Sequence, residues 1–89
     1  MTQAKHPSSW IFPRVQKTAI KKLNGEVVQH LNFPVNLSLT QYIWTREDKT
    51  ERKTYYVIGF GGVQHDWVFT NRATAHAQLN EIYLAIAKL

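Results

Sequence analysis

Residues 41 to 69 contain three strand-like segments, and this pattern constrains the fold more than any other part of the chain. The segments are rich in aromatic and β-branched residues: QYIWTRE (41–47), KTYYVIGF (53–60) and VQHDWVF (63–69). The charged stretch 48–52 separates the first two segments, and Gly61-Gly62 separates the last two. Connections this short allow only hairpins, so the pattern predicts a three-stranded antiparallel meander.

A regular apolar stripe follows the third strand. Thr70 or Asn71 is a suitable N-cap for a helix that runs to about Lys88. The stripe repeats at steps of four and three residues: Ala75, Leu79, Ile82, Ile86 and Leu89. We expect this C-terminal helix to pack across one face of the sheet. The predicted fold class is therefore α+β, a small two-layer domain with at least three antiparallel strands.

Residues 13 to 23 are compatible with two structures. Pro13 suits the first turn of a helix and Asn24-Gly25 suits its end, and the side chains of Val15, Ala19, Ile20 and Leu23 would share one helical face. Asn-Gly is also a strong hairpin signal, with strands at 15–23 and 26–33. A strand would place Lys17 and Lys21 on the same face as apolar residues, which favours an N-terminal basic helix.

Two further segments complete the expected organisation. Residues 1 to 9 are polar and contain a proline and two serines, which indicates a flexible arm before a single domain at 10–89. Val35, Leu37 and Leu39 alternate with polar residues, which predicts a strand after Pro34.

The composition excludes several classes of chemistry. The chain has no cysteine, so it has no disulfide, no thiolate nucleophile and no Cys-based zinc site. The four histidines show no metal-ligand spacing, and no catalytic motif or cofactor-binding motif is present. We therefore expect a protein that is not an enzyme and binds no metal or cofactor. Neither a signal peptide nor an apolar run long enough to span a bilayer is visible, so we expect a cytoplasmic location and no membrane partner.

The positive charge is concentrated at the start of the chain. The net charge is +5, and residues 1 to 25 contain five basic residues and no acid, whereas residues 26 to 89 contain six of each. Such asymmetry predicts nucleic acid or an acidic protein surface as partner. Basic and aromatic side chains together suit phosphate and base contacts. The candidate binding residues are Arg14, Lys17, Lys21, Lys22, Trp44, Arg46, Arg52, Lys53 and Arg72.

The stretch YIWTREDKTERKTYYVIGFGGVQHDWVFTNRATAHAQLNEIYLAIA resembles two kinds of DNA-binding domain. These are the three-stranded-sheet-plus-helix domains of plant ethylene-response factors and of integrase arm-site-binding domains. The resemblance implies that the exposed sheet face enters the DNA major groove, with Trp44, Arg46, Arg52 and Lys53 in contact. With a first helix in place, the element order is also similar to that of double-stranded-RNA-binding domains. Their last helix begins with a lysine-rich stretch, where this chain has only Arg72 in NRATAH.

Three functional hypotheses follow. The first is a non-enzymatic domain that binds nucleic acid, DNA in preference to RNA. The alternative is a small inhibitor of an acidic or nucleic-acid-handling protein complex, because the size and character of the chain are similar to those of phage anti-defence proteins, including anti-CRISPR proteins. The third is a homodimer formed through the C-terminal helix, where Tyr83 and Ala87 form a second apolar face.

Overall fold

The computed structural model describes residues 9–50, 52–63 and 65–89. It has the predicted α+β class, with a three-stranded antiparallel sheet and one C-terminal helix. The elements in chain order are β1 Trp10–Ile11, β2 Lys17–Lys21, β3 Val27–Leu31, β4 Val35–Asn36, a 3-10 helix at Leu37–Leu39, β5 Tyr42–Lys49, β6 Thr54–Gly61, β7 His65–Phe69 and α1 Arg72–Ala87. The predicted flexible arm lies outside the described residues, apart from Ser9.

The meander β5–β6–β7 is confirmed, with β6 at its centre. Trp44 is opposite Gly59 on β6, and Ile58 is opposite Trp67 on β7. Strand β5 continues to Lys49, and β7 begins at His65, so the turns lie slightly later than the sequence pattern predicts. Gly62, with φ of 99°, takes the left-handed conformation in the second turn, a conformation that glycine adopts without a steric penalty.

The core lies between the sheet and α1. Side chains that face the helix alternate along β6 and β7, and they include Ile58, Phe60, Trp67 and Phe69. The Phe60 and Trp67 rings meet edge to face with their centroids 4.7 Å apart. Complete burial of each such side chain stabilises the fold by about 1.5–3 kcal/mol. The short β1–β4 pair adds Ile11 and Val35 to the same cluster.

The apolar stripe of α1 is only partly covered by the sheet. Asn71 caps the helix by accepting a hydrogen bond from the Thr74 backbone N–H. Ala75 and Ile82 are buried, whereas Ile86 and Leu89 remain 41% and 56% exposed. The sheet therefore covers the first three turns of the helix, and the end of the predicted stripe lies beyond it.

The predicted N-terminal basic helix does not form, and residues 17 to 31 make the alternative β-hairpin. Gly25 takes the left-handed conformation with φ of 88°, and its N–H donates to the Lys22 carbonyl at 2.9 Å. Lys17, Ala19 and Lys21 lie on the solvent face of β2. Charged and apolar side chains can share that face because it is not buried. Thr18 and Ile20 face inward. Leu23, expected in the core, is fully exposed in the turn.

The strand predicted at 35–39 is also shorter than expected. Strand β4 has two residues and passes directly into the 3-10 helix. The Asn36 side chain accepts hydrogen bonds from the Ser38 backbone N–H and hydroxyl at 3.0 and 2.7 Å, and so caps that helix. This local side-chain bond replaces the extended conformation that the alternation predicts.

The Asn32 side chain attaches the hairpin to the free edge of β7. Asn32 is 4% exposed, and its Oδ1 accepts from the Val68 N–H at 2.9 Å. Its Nδ2 donates to the Val68 carbonyl at 3.1 Å and to the Val15 carbonyl at 2.8 Å. The Thr18 hydroxyl donates to the same Val68 carbonyl at 2.5 Å. An amide side chain therefore pairs with β7 as a neighbouring strand would.

Backbone and ring groups extend this edge contact beyond Asn32. The Trp67 indole N–H donates to the Phe33 carbonyl at 2.6 Å, and the Phe33 N–H donates to Nε2 of His65 at 3.1 Å. Burial lowers the pKa of His65, as does the charge of His30, against an opposing effect of Asp66. The neutral imidazole is the form that accepts the Phe33 hydrogen bond.

A buried glutamine attaches the segment that precedes the hairpin to α1. Gln78 is 0% exposed. Its Oε1 accepts from the Arg14 N–H at 2.5 Å, and its Nε2 donates to the Phe12 carbonyl at 3.4 Å. The chain between β1 and β2 is thereby held against the helix.

We expect Asn32→Ala to lower the free energy of unfolding by about 2–4 kcal/mol, because it leaves the Val68 N–H and the Val15 carbonyl without their Asn32 partner. Urea denaturation measures this change. Gln29→Ala, at an exposed position of β3, is the matched control and should change stability by less than about 0.5 kcal/mol. Equal effects of the two substitutions would contradict the edge-pairing role of Asn32.

The lowered pKa of His65 predicts a pH dependence of stability. The folded state disfavours the protonated ring, so the contribution of His65 is complete above its unfolded pKa of about 6.5 and is lost as the pH falls through the lower folded pKa. Unfolding free energies should therefore decrease between pH 7.5 and pH 5. In His65→Gln, which retains an acceptor for Phe33 and leaves His30 and Asp66 in place, this decrease should be smaller. An unchanged slope would exclude His65 as its source.

Candidate nucleic-acid interface

Two hairpin turns and the start of α1 lie at the same end of the sheet. The β5–β6 register places Lys49 opposite Thr54, and the β6–β7 register places Phe69 opposite Tyr56. Helix α1 begins three residues after Phe69. The tip of the β2–β3 hairpin reaches this end as well, because the Lys21 N–H donates to the Tyr55 hydroxyl at 3.0 Å.

This convergence gathers basic side chains from separate parts of the sequence. We name the group the basic end, and it consists of Lys21, Lys22, Lys49, Arg52, Lys53 and Arg72. All six residues are exposed, and within the described ranges none of them forms an ion pair. The Lys53 Nζ lies 5.6 Å from the centroid of the Tyr55 ring. Glu26 lies in the same hairpin turn as Lys22 and offsets part of the charge.

The remaining predicted basic residues lie elsewhere. Arg14 forms an ion pair with Glu81 on α1, so its charge is compensated. Lys17 lies at the opposite end of β2 from Lys21, about 13 Å away at the rise of an extended strand. Arg46 lies on β5, where its Nε and Nη2 donate to the two carboxylate oxygens of Asp48 at 2.7 and 3.1 Å. The structure thus brings together Lys21, Lys22, Arg52, Lys53 and Arg72 and separates the others.

The β2–β3 hairpin covers part of the sheet face opposite α1. Ile20 of the hairpin packs against Tyr55, Val57 and Val68, which form a second buried cluster on this face. The hairpin therefore covers these three residues, whereas Gly61 and Asp66 line an open depression with Tyr42 and Trp44. We name the β5 side of this face the β5 strip, and it carries Tyr42, Trp44, Arg46 and Asp48. Part of the three-stranded surface that the resemblance to sheet-type DNA-binding domains implies is thus covered by the hairpin.

Two aromatic rings of the β5 strip lie face-on against glycines of β6. A Cβ atom on Gly61 would lie 2.2–2.5 Å from three atoms of the Tyr42 ring, and one on Gly59 would lie 1.8–2.4 Å from three atoms of the Trp44 ring. Each ring thus occupies the space of the missing side chain. The Arg46 guanidinium lies 5.4 Å from the centroid of the Trp44 ring, toward the basic end.

Tyr42 and Lys49 are not among the binding residues predicted from the sequence. The signal for Tyr42 was present: aromatic residues two apart at 42 and 44, and glycines two apart at 59 and 61. In a hairpin these positions oppose each other, and aromatic side chains often cover glycines on a neighbouring strand. Nothing in the sequence separated Lys49 from a solvated turn residue.

The described residues contain no group of three or more His, Cys, Asp or Glu side chains that could hold a metal ion. His30 and Asp66 form a pair, with 3.3 Å between Nε2 and Oδ1. Across the described ranges, no helix has both the length and the apolar character needed to cross a bilayer. Comparisons with models of protein families, with curated proteins and with solved structures gave no match for this chain.

The contact between Trp44 and Gly59 predicts a coupled effect on stability. Gly59→Ala should destabilise the protein by about 1–3 kcal/mol, because the new methyl group must displace the indole ring. In a Trp44→Ala background, the same substitution should be close to neutral. Urea denaturation of the four proteins gives the coupling free energy. A Gly59→Ala cost that is the same in both backgrounds would show that the ring does not occupy this position.

Proposed function

We propose that the protein is a non-enzymatic nucleic-acid-binding domain, with DNA as its preferred ligand, and that the basic end contacts the phosphate backbone. The observation that carries the proposal is the convergence of six exposed cations from three chain segments on one end of the domain. Each segment alone is a solvated turn or helix start. Together they form a surface whose charge complements a polyanion.

Three further features support this reading. The first turn of α1, where the helix dipole is positive, contains no acidic residue. The Lys53 side chain lies 5.6 Å from the centroid of the Tyr55 ring, so that a cation and an aromatic ring stand together at the basic end. The absence of cysteine fits a reducing compartment such as the cytoplasm, where we place the protein.

Double-stranded RNA is a less suitable ligand. The similarity to double-stranded-RNA-binding domains depends on an N-terminal helix, and residues 17 to 31 form a hairpin instead. The start of α1 supplies Arg72 rather than a run of lysines. These two differences favour DNA.

Binding of labelled DNA at two salt concentrations tests the proposal. Affinity should fall steeply as salt increases, with a slope of about −0.7 to −0.9 per phosphate contacted. Lys22→Gln/Arg52→Gln should weaken binding about tenfold near 0.1 M salt and reduce the slope by about two contacts. The matched control is Lys17→Gln/Lys88→Gln, which removes two exposed charges outside the basic end and should change affinity less than about twofold.

Two results would overturn the proposal. One is the absence of binding to DNA and RNA at low salt by the folded protein. The other is an equal loss of affinity in the two double variants, which would show that net charge alone matters. Recovery of one protein complex that resists nuclease treatment, together with absent DNA binding, would instead support an inhibitor of an acidic or nucleic-acid-handling complex.

A further inference from the structure

We infer that the β5 strip binds the bases of single-stranded nucleic acid, with the exposed Tyr42 ring as the stacking platform and the half-buried Trp44 beside it. The inference rests on the proposed function and names the strand state of its ligand. It adds a second contact region to the phosphate contacts at the basic end.

The Tyr42 ring presents one flat side outward: its inner side contacts Gly61, and Tyr42 is 60% exposed. Trp44 beside it is half-buried, with its ring against Gly59 and the Arg46 guanidinium 5.4 Å from the ring centroid. Glycine within a central strand weakens it and frequently marks a close approach by another group. The two glycines allow the rings to lie parallel to the sheet, where a base can stack on them. Base–aromatic stacking contributes a factor of about 5 to 150 in affinity for each base.

The rings and the basic end lie along one line. Tyr42, Trp44 and Arg46 occupy successive outward positions of β5, and the strand then reaches the β5–β6 turn with Lys49, Arg52 and Lys53. From Trp44 to Thr50 the strand extends about 20 Å. A chain that follows the β5 strip therefore meets the rings first, the Arg46–Asp48 ion pair next and the basic end last. Asp66, which faces the same surface across Gly59, is paired with His30.

The exposed Tyr42 ring favours a single strand. Bases within a duplex are already stacked on each other, and their flat faces do not reach a ring on the protein. Unpaired bases have free faces that stack on aromatic side chains. The Tyr42 ring also borders an open depression that Trp44, Gly61 and Asp66 line. Single-stranded DNA therefore fits this surface better than a duplex does.

A comparison of three ligands tests the inference. The ligands are a thymidine oligonucleotide of about 12 residues, an abasic oligonucleotide of equal length, and a duplex of equal length. The wild-type protein should bind the thymidine strand at least about tenfold more tightly than the abasic strand or the duplex. Tryptophan fluorescence should be quenched by the thymidine strand, and this quenching should largely disappear in Trp44→Phe.

Tyr42→Leu is the critical variant. Because Tyr42 is exposed, we expect this substitution to preserve the fold, and circular dichroism checks that it does. It should lower the preference for the thymidine strand over the abasic strand by about 5-fold or more, and Tyr42→Phe should restore it. The matched control is Tyr83→Leu, because Tyr83 is similarly exposed but lies on α1. It should leave the preference unchanged.

The two proposals fail in distinguishable ways. Equal binding of thymidine and abasic strands, or tighter binding of the duplex, would overturn the stacking role. If Lys22→Gln/Arg52→Gln still weakened binding when the stacking role had failed, phosphate recognition by the basic end would be supported without base stacking. Absence of binding to all three ligands at low salt would overturn both proposals. A Tyr42→Leu preference equal to that of the wild-type protein would overturn the role of Tyr42.

Discussion

The bidentate pairing of the Asn32 amide with the backbone of Val68 is the interaction on which the rest of the structure depends. It satisfies the outward N–H and carbonyl of β7 and simultaneously binds the carbonyl of Val15. An unpaired strand edge would expose these groups to other chains. By closing that edge with a side chain, Asn32 fixes the β2–β3 hairpin against the sheet without adding a fourth strand.

The position of the hairpin decides which parts of the surface remain available. Ile20 covers Tyr55, Val57 and Val68, and the backbone of Lys21 binds the Tyr55 hydroxyl. The same contacts carry Lys21 and Lys22 to the turn that contains Arg52 and Lys53. One packing arrangement therefore creates the basic end and covers the part of the sheet face that Tyr55, Val57 and Val68 form. Loss of the hairpin contact should affect both regions, since both depend on its placement.

Much of the fold could be predicted from local patterns. Period-two alternation in 41–69 and period-3.6 apolar spacing in 75–89 act over short distances, and both gave the correct elements. The segment 13–23 was predicted wrongly because Val15, Ala19, Ile20 and Leu23 fit a helical stripe. In the folded protein only one side of β2 needs to be apolar, and Thr18 and Ile20 supply it. The sequence identified five basic residues of the candidate site, namely Lys21, Lys22, Arg52, Lys53 and Arg72. It did not predict that they lie together at one end of the domain.

The sequence by itself determined the α+β class, the meander, the C-terminal helix and the excess of positive charge, because composition and local periodicity encode each of them. Tertiary structure decided the hairpin, the partner of Arg14, the grouping of the basic end and the covering of Gly59 and Gly61 by aromatic rings. These features depend on contacts between residues far apart in the chain, such as Asn32 with Val68 and Arg14 with Glu81. Such contacts form only when the hairpin and the helix pack on the sheet. The pattern of neighbouring residues in the sequence does not determine that packing.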